Sequence, residues 1–208
     1  MEIENIFDSK NEIIGNYVER ANAYIEALRK KGTLPKIEEL IPRFAEFTEG
    51  EGWKKSIAGD DFDLAMKEIA KAFINHRCLL FIGASGVGKS LLMKIMYKTD
   101  KRNNRFWFDC IDEGQMQDLH ENQKYYFNKN IYLDDLGSEN IKNEYGTKIN
   151  IIEEFICKFY NYGKGTIIAN SNLQVEQLLK EYGQRCLDRI KEMFVIVKFN
   201  GKSKRMAI

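Results

Sequence analysis

The chain has 208 residues, 44% hydrophobic and 30% charged, with a formal net charge of +1, which fits one medium folded domain or a domain with a small appendage. No run of about 18 apolar residues could cross a bilayer, so no membrane span or membrane partner is expected, and the acidic start Met1-Glu2-Ile3-Glu4-Asn5 has no apolar core of a signal peptide. A near-neutral whole excludes a global field as the means of attracting nucleic acid, so any such contact must use a local patch.

The four cysteines (78, 110, 157 and 186) are scattered with no C-x-x-C, which reads as reduced thiols in a cytoplasmic protein and argues against zinc. His76 and His120 have no ligand spacing and read as structural. Up to Asn75 there are 11 basic and 15 acidic residues, against 21 and 16 beyond it, a mild asymmetry. It fits an N-terminal docking segment followed by a body that meets nucleic acid, and ordinary scatter explains it nearly as well.

Residues 9–31 read as a helix. Ser9 and Glu12 form a capping box, Ile14, Tyr17, Val18, Ala21, Tyr24, Ile25 and Leu28 follow at helical spacing, and Arg29-Lys30-Lys31 before Gly32 suits a helix C-terminus. A shorter helix is expected over 35–47, limited or kinked by Pro42, and Thr48-Glu49-Gly50-Glu51-Gly52 is the best linker. A third helix over 60–75 has a broad apolar face of Phe62, Leu64, Ala65, Ile69, Ala70, Phe73 and Ile74.

Next comes Cys78-Leu79-Leu80-Phe81-Ile82, a run that reads as a buried parallel strand. It opens into Gly83-Ala84-Ser85-Gly86-Val87-Gly88-Lys89-Ser90, which fits G-x-x-x-x-G-K-[ST], and Leu91 begins a stretch of good helix formers. This is a P-loop in the setting its mechanism requires. The glycines let backbone N–H groups turn inward on an anion, and the following helix adds its positive end. Lys89 reaches the β- and γ-phosphates, and the Ser90 hydroxyl ligates Mg2+.

Arg105–Cys110 reads as a short aromatic strand and 111–127 as polar and helical. The Tyr125-Tyr126-Phe127 cluster reads as core packing, with base stacking as the alternative. In Ile131-Tyr132-Leu133-Asp134-Asp135-Leu136-Gly137 apolar residues run into two acids, which places them at the ligand edge of an open parallel sheet. This is a Walker B pattern: Asp134 holds Mg2+ through water and Asp135 polarises the attacking water.

A helix over 147–162 and a third buried strand, Thr166–Asn172, follow. That strand ends in Asn170 and Asn172, whose amides either orient the attacking water or simply end a strand in a turn. Helices at 174–182 and 184–191 come next, the second carrying Arg185 and Arg189 on one face. Phe194–Phe199 is the last strand, and Lys202, Lys204 and Arg205 make the tail basic.

In this order the P-loop, Leu-Asp-Asp-Leu-Gly-Ser-Glu (133–139), Asn-Ser-Asn-Leu (170–173), Tyr-Gly-Gln-Arg-Cys-Leu-Asp-Arg (182–189) and Phe-Asn-Gly-Lys-Ser-Lys-Arg (199–205) resemble the replicative-helicase loaders of the DnaC/DnaI type. This AAA+ ATPase group also includes the IstB transposition helpers. The resemblance covers about 75–208. It implies an α/β P-loop fold with a central parallel five-stranded sheet flanked by helices, a small helical segment over 1–58, an ATPase domain over 59–208 and no C-terminal lid. It further implies ATP and Mg2+ as cofactors and slow, assembly-dependent hydrolysis. Asn172 is then sensor 1 with Asn170 the alternative, Arg189 the arginine finger with Arg185 second, and Arg205 a sensor 2-like arginine. The implied partners are the hexameric replicative helicase, single-stranded DNA and further copies of the chain. The chain departs from the family in its short segment between Cys110 and Asn130 and in lacking zinc-binding cysteines near the N-terminus.

The implied function is loading the replicative helicase onto single-stranded DNA. A transposition helper would use the same site with a transposase as partner. A P-loop small-molecule or nucleoside kinase would need an acceptor pocket and an arginine-rich lid, neither of which is visible, and no Asn-Lys-x-Asp motif points to GTP.

Overall fold

A computed structural model describes residues 16–32, 36, 38–39, 41–42, 45–46, 61–93, 108–111, 115–137, 142–144 and 147–201. Its centre is a sheet of five strands: β1 (Cys78–Gly83), β2 (Phe108–Ile111), β3 (Asn130–Leu136), β6 (Ile167–Ser171) and β7 (Phe194–Phe199). The order is β2-β3-β6-β1-β7, and every pairing is parallel. Parallel strands buried on both faces need apolar residues at consecutive positions, which is why Cys78 to Ile82 form an unbroken run.

Successive side chains of β1 alternate between two cores. Cys78, Leu80 and Ile82 enter the larger one with Ile131, Leu133, Ile167 and Ala169. Leu79 and Phe81 enter the smaller one with Tyr132, Ile168, Val197 and Phe199. Helix α2 (Asp61–Ile74) covers the smaller core through Phe62, Ala65, Met66, Ile69 and Ala72. Its apolar face is narrower than expected, because Leu64 and Phe73 are exposed.

The larger core is covered by α1 (Tyr17–Lys30), α5 (Ile151–Tyr162) and α6 (Val175–Met193). Helix α1 starts later than the expected residue 9. Asn16, with an extended backbone, caps it by accepting from Val18 and Glu19 N–H, while Glu19 accepts from Asn16 N–H. The Ser9–Glu12 box lies outside the described residues. Although α1 precedes the boundary expected at 58, Tyr17 and Ala21 sit inside the larger core, and Ile25 is buried too. Of the short helix expected over 35–47, residues 38–39, 41–42 and 45–46 are described and helical.

Two further expectations need correction. The helix expected over 147–162 begins at Ile151, because Asn150 is an extended N-cap accepting from Ile152 and Glu153 N–H. Before it, β4 (Lys142–Glu144) and β5 (Thr147–Ile149) form an antiparallel hairpin. In the stretch expected to be helical over 111–127, Ile111 ends β2, and the described residues beyond it form two short helices, α3 (Met116–Glu121) and α4 (Gln123–Tyr126), broken at Asn122. The aromatic cluster there is divided: Tyr126 and Phe127 are core residues, whereas Tyr125 is exposed beneath the Lys129 ammonium. His76 packs at a tilt against the Tyr24 ring and accepts from Tyr17 Oη through its carbonyl, and His120 lies beside Glu154. Among the described residues Cys78, Cys157 and Cys186 form no disulfide, and burial pushes Cys78 up to about 11.

Candidate functional site

The site is built at the C-terminal ends of β1, β3 and β6. Strand β6 lies between the other two, so residues at its tip reach both the P-loop and the acids of β3.

In the P-loop, Gly83, Gly86 and Gly88 all take positive φ (+153°, +84° and +101°), which side chains resist. Gly83 is required on a second ground: a Cβ there would lie 2.5 Å from the Phe199 carbonyl oxygen. Val87 and Leu92 are buried and pin the loop, and residues 89–93 are helical. Lys89 is only 4% exposed. Its ammonium donates to Gly83 O (2.7 Å), Ala84 O (2.9 Å) and Asn172 Oδ1 (2.9 Å), so its three donors meet three neutral acceptors. Such a buried cation, solvated by these dipoles, is a natural receptor for an incoming anion. Reaching a phosphate requires it to release some of these acceptors.

At the end of β3 the pairing with β6 slips. Leu133 faces Ala169 and Leu136 faces Ser171, so one extra residue is accommodated on β3. Asp135 takes the left-handed conformation there, φ +60°. The bulge re-aims its side chain, as bulges near functional sites do. Asn170 secures the bulge by accepting from Asp135 N–H (3.0 Å) while its amide donates to Asp134 Oδ1 (2.6 Å) and approaches Ser90 Oγ (3.3 Å). Asn172 donates to Asp135 Oδ1 (2.6 Å), the same side chain that accepts from Lys89. Two amides on one strand tip thus bridge the two motifs. Asn170 joins Ser90 to Asp134 and is 2% exposed, and Asn172 joins Lys89 to Asp135 and is exposed.

Ser171, between them, was not among the residues singled out from the sequence. Its hydroxyl donates to Leu136 O (2.5 Å) and accepts from Leu173 N–H (3.1 Å), tying β3 to the turn after β6. The signal was the unbroken Asn-Ser-Asn, read only for its amides. Gly137 completes the turn, since a Cβ there would lie 2.2 Å from Leu173 Cδ1.

Ser90 Oγ and Asp134 Oδ1 are 3.4 Å apart. A hydroxyl and a carboxylate are hard oxygen donors, and two of them suit Mg2+, which keeps several waters and shares itself with phosphate. Among the described residues no cluster of three or more His, Cys, Asp or Glu could hold a metal unaided. The donor set therefore fits an ion that arrives with its nucleotide.

Arg185 and Arg189 are not part of this cluster. Helix α6 is broken at Gly183 (φ +74°, ψ 170°), as the sequence suggested, and its second half carries both arginines. That half ends at Met193, and Phe194 pairs with Cys78 at the start of β1, so it approaches the sheet edge opposite the P-loop. With Gln184, Asp188, Lys191 and Glu192 they line an open cavity of about 600 Å³. Leu91 is exposed beside the P-loop, and Arg205 lies outside the described residues.

Neither a family model nor a curated protein sequence matches the chain. Solved structures do. A crystal structure of the DnaC helicase loader is 21% identical over 68% of this chain and 92% of its own, with a TM-score of 0.51. A crystal structure of DnaI is 18% identical over 73% of this chain and 93% of its own, also at 0.51. The chain shares the α/β, AAA+-type fold of these structures. AMPPCP-bound DnaA from Aquifex aeolicus is 16% identical over 71% of this chain and 49% of its own, at 0.50. In this fold the sheet edge that gathers Lys89, Ser90, Asp134, Asp135, Asn170 and Asn172 is the edge where open parallel sheets take their ligands. Among the described residues no helix is long and apolar enough to cross a membrane.

Proposed function

We propose that this protein is an ATP-dependent helicase loader that binds the hexameric replicative helicase and helps place it on single-stranded DNA during replication initiation. The observation that carries this reading is the doubly bridged site, Lys89–Asn172–Asp135 and Ser90–Asn170–Asp134, on a sheet of the loader fold. Nucleotide enters where the P-loop N–H groups, Lys89 and the helix that starts at Lys89 favour three phosphates. Residues Gly83 to Leu91 form the cradle. Ser90 and Asp134 hold Mg2+, which when bound neutralises charge developing on the phosphate oxygens. Asp135 and Asn172 orient the attacking water, and Asn170 keeps both acids in place.

Arg189, with Arg185 as second choice, acts on the nucleotide of a neighbouring copy. Its place at the opposite sheet edge supports that assignment over a role in its own site. Turnover is then slow until copies assemble on a partner, because an arginine supplied in trans is worth orders of magnitude in phosphoryl transfer. Arg205 reads the γ-phosphate from the chain's own tail. Residues 1–58 supply the docking segment and 59–208 the ATPase, with α1 seated on the latter.

The test is copurification of the full chain with the host's replicative helicase in the presence of ATP and Mg2+. A stable complex that places the helicase on single-stranded DNA is the expected result. Capture of a transposase with no helicase would overturn the loader reading in favour of a transposition helper.

A further inference from the structure

The side chains around Arg189 form a closed triangle. Its guanidinium carbon lies 4.0 Å from the centroid of the Tyr160 ring. Tyr160 Oη donates to Glu192 Oε2 (2.5 Å), and Glu192 Oε1 accepts from Arg189 Nη1 (3.3 Å). Ring and carboxylate together fix both the plane and the direction of a long, flexible side chain. Tyr160 is nearly buried, at 5% exposed, so its ring cannot follow Arg189 around. Burial, and then the Glu192 carboxylate, raise the phenol's pKa and keep it a donor. Arg189 remains about one-third exposed, and its bond to Glu192 engages one of its terminal nitrogens, Nη1.

Helix α1 braces this triangle from both ends. Arg20 is buried and donates to Asn161 O (3.0 Å) and Gly163 O (2.6 Å), on the residues just after Tyr160. Arg77 donates to Glu192 O (3.2 Å) and, with its other nitrogen, to Asn22 Oδ1 (3.4 Å) of α1. A surface arginine ordinarily samples many rotamers, and ordering it costs entropy at the moment it is used. Here the ordering is done beforehand, and the remaining donors point at whatever packs on this face.

We infer that Tyr160 and Glu192 are positioning residues that hold Arg189 ready for the phosphates of a neighbouring copy's nucleotide, with α1 as their brace. The inference rests on the reading of Arg189 as a finger supplied in trans. It adds that the finger is pre-aimed, and that displacing α1 would loosen it.

The experiment uses the full chain, with ATP turnover measured from below to above the concentration of assembly, with and without the host's replicative helicase, and assembly followed by sedimentation. Arg189→Ala is expected to remove the assembly-dependent part of kcat. Glu192→Ala and Tyr160→Leu are expected to lower it about tenfold with KM for ATP within about twofold, the signature of a group felt only in the transition state. The conservative Glu192→Gln and Tyr160→Phe keep a partner or the ring and are expected to stay within about threefold of wild type. A wild-type rate that does not rise on assembly, or a fully active Arg189→Ala, overturns the finger reading itself. An inactive Arg189→Ala beside a fully active Glu192→Ala that assembles normally overturns the positioning role alone. Should Tyr160→Leu fail to fold, Glu192→Ala decides, because that side chain is 45% exposed.

Discussion

Replacing Asn170 by alanine should destabilise the protein far more than replacing Asn172, although the two amides stand two residues apart on the same strand tip. Asn170 is 2% exposed and makes a charge-assisted bond to Asp134, and it also satisfies the N–H of the left-handed Asp135. A bond to a charged group contributes about 1.5–3 kcal/mol, and stranding a buried N–H costs about 1–3 kcal/mol. Asp134 and Asp135 are only half-buried, so water repairs part of the loss. The net cost is about 3 kcal/mol, which for a chain of this size lowers Tm by roughly 6–12 °C. Asn172 is exposed, and water can replace its bonds to Asp135 and Lys89, so its loss should cost about 1 kcal/mol or less. Thermal unfolding followed by circular dichroism, without nucleotide, measures both. An Asn170→Ala protein that melts within about 2 °C of wild type, or an Asn172→Ala protein that is the less stable of the two, refutes the division into a buried clasp and an exposed bridge.

Lys89→Ala should abolish binding of a fluorescent ATP analogue, and turnover equal to wild type would sink the P-loop assignment. Gly83→Ala must hold a positive φ and push a methyl group to 2.5 Å from the Phe199 carbonyl, so urea unfolding should show a loss of about 2–4 kcal/mol. An unchanged urea midpoint would mean that β7 does not close on the P-loop as described. Burial, and then Arg77, depress the pKa of His76 below 6.5. Below that pH the unfolded chain takes a proton that the folded chain resists, so stability should fall as pH drops from about 6.5 towards 5. His76→Asn, which tolerates the φ of +47°, should flatten that dependence, and an unaltered slope assigns it to another group.

The central strands were legible because a parallel sheet buried on both faces leaves little freedom in composition. β7 matches its expected bounds, and β1 and β6 differ by a residue or two. That Lys89, Ser90, Asp134 and Asp135 would meet at one sheet edge was legible for a related reason, since each follows directly on a buried apolar run or its loop. Local competition was harder to read. Asn16 and Asn150 each cap a helix by offering a side-chain oxygen to two N–H groups, a role that apolar periodicity does not single out. The bulge at Asp135 had no signal, because a left-handed aspartate is written in the same letters as an extended one. Nor could spacing reveal the triangle of Tyr160, Arg189 and Glu192, whose first member comes from a different helix.

The seating of α1 decides where this chain can be cut. A fragment beginning at 59 would lose Tyr17, Ala21 and Ile25 from its interior and strip the arginine from the end of α5, leaving the carbonyls of Asn161 and Gly163 to water. Such a fragment would lose partners simply by becoming sticky and misshapen. Trimming only residues 1–15 keeps Asn16 and the whole of α1 in place. Trimmed at that point, the chain keeps α1 packed in its core, so a change in partner binding would report on the removed residues rather than on a damaged interior.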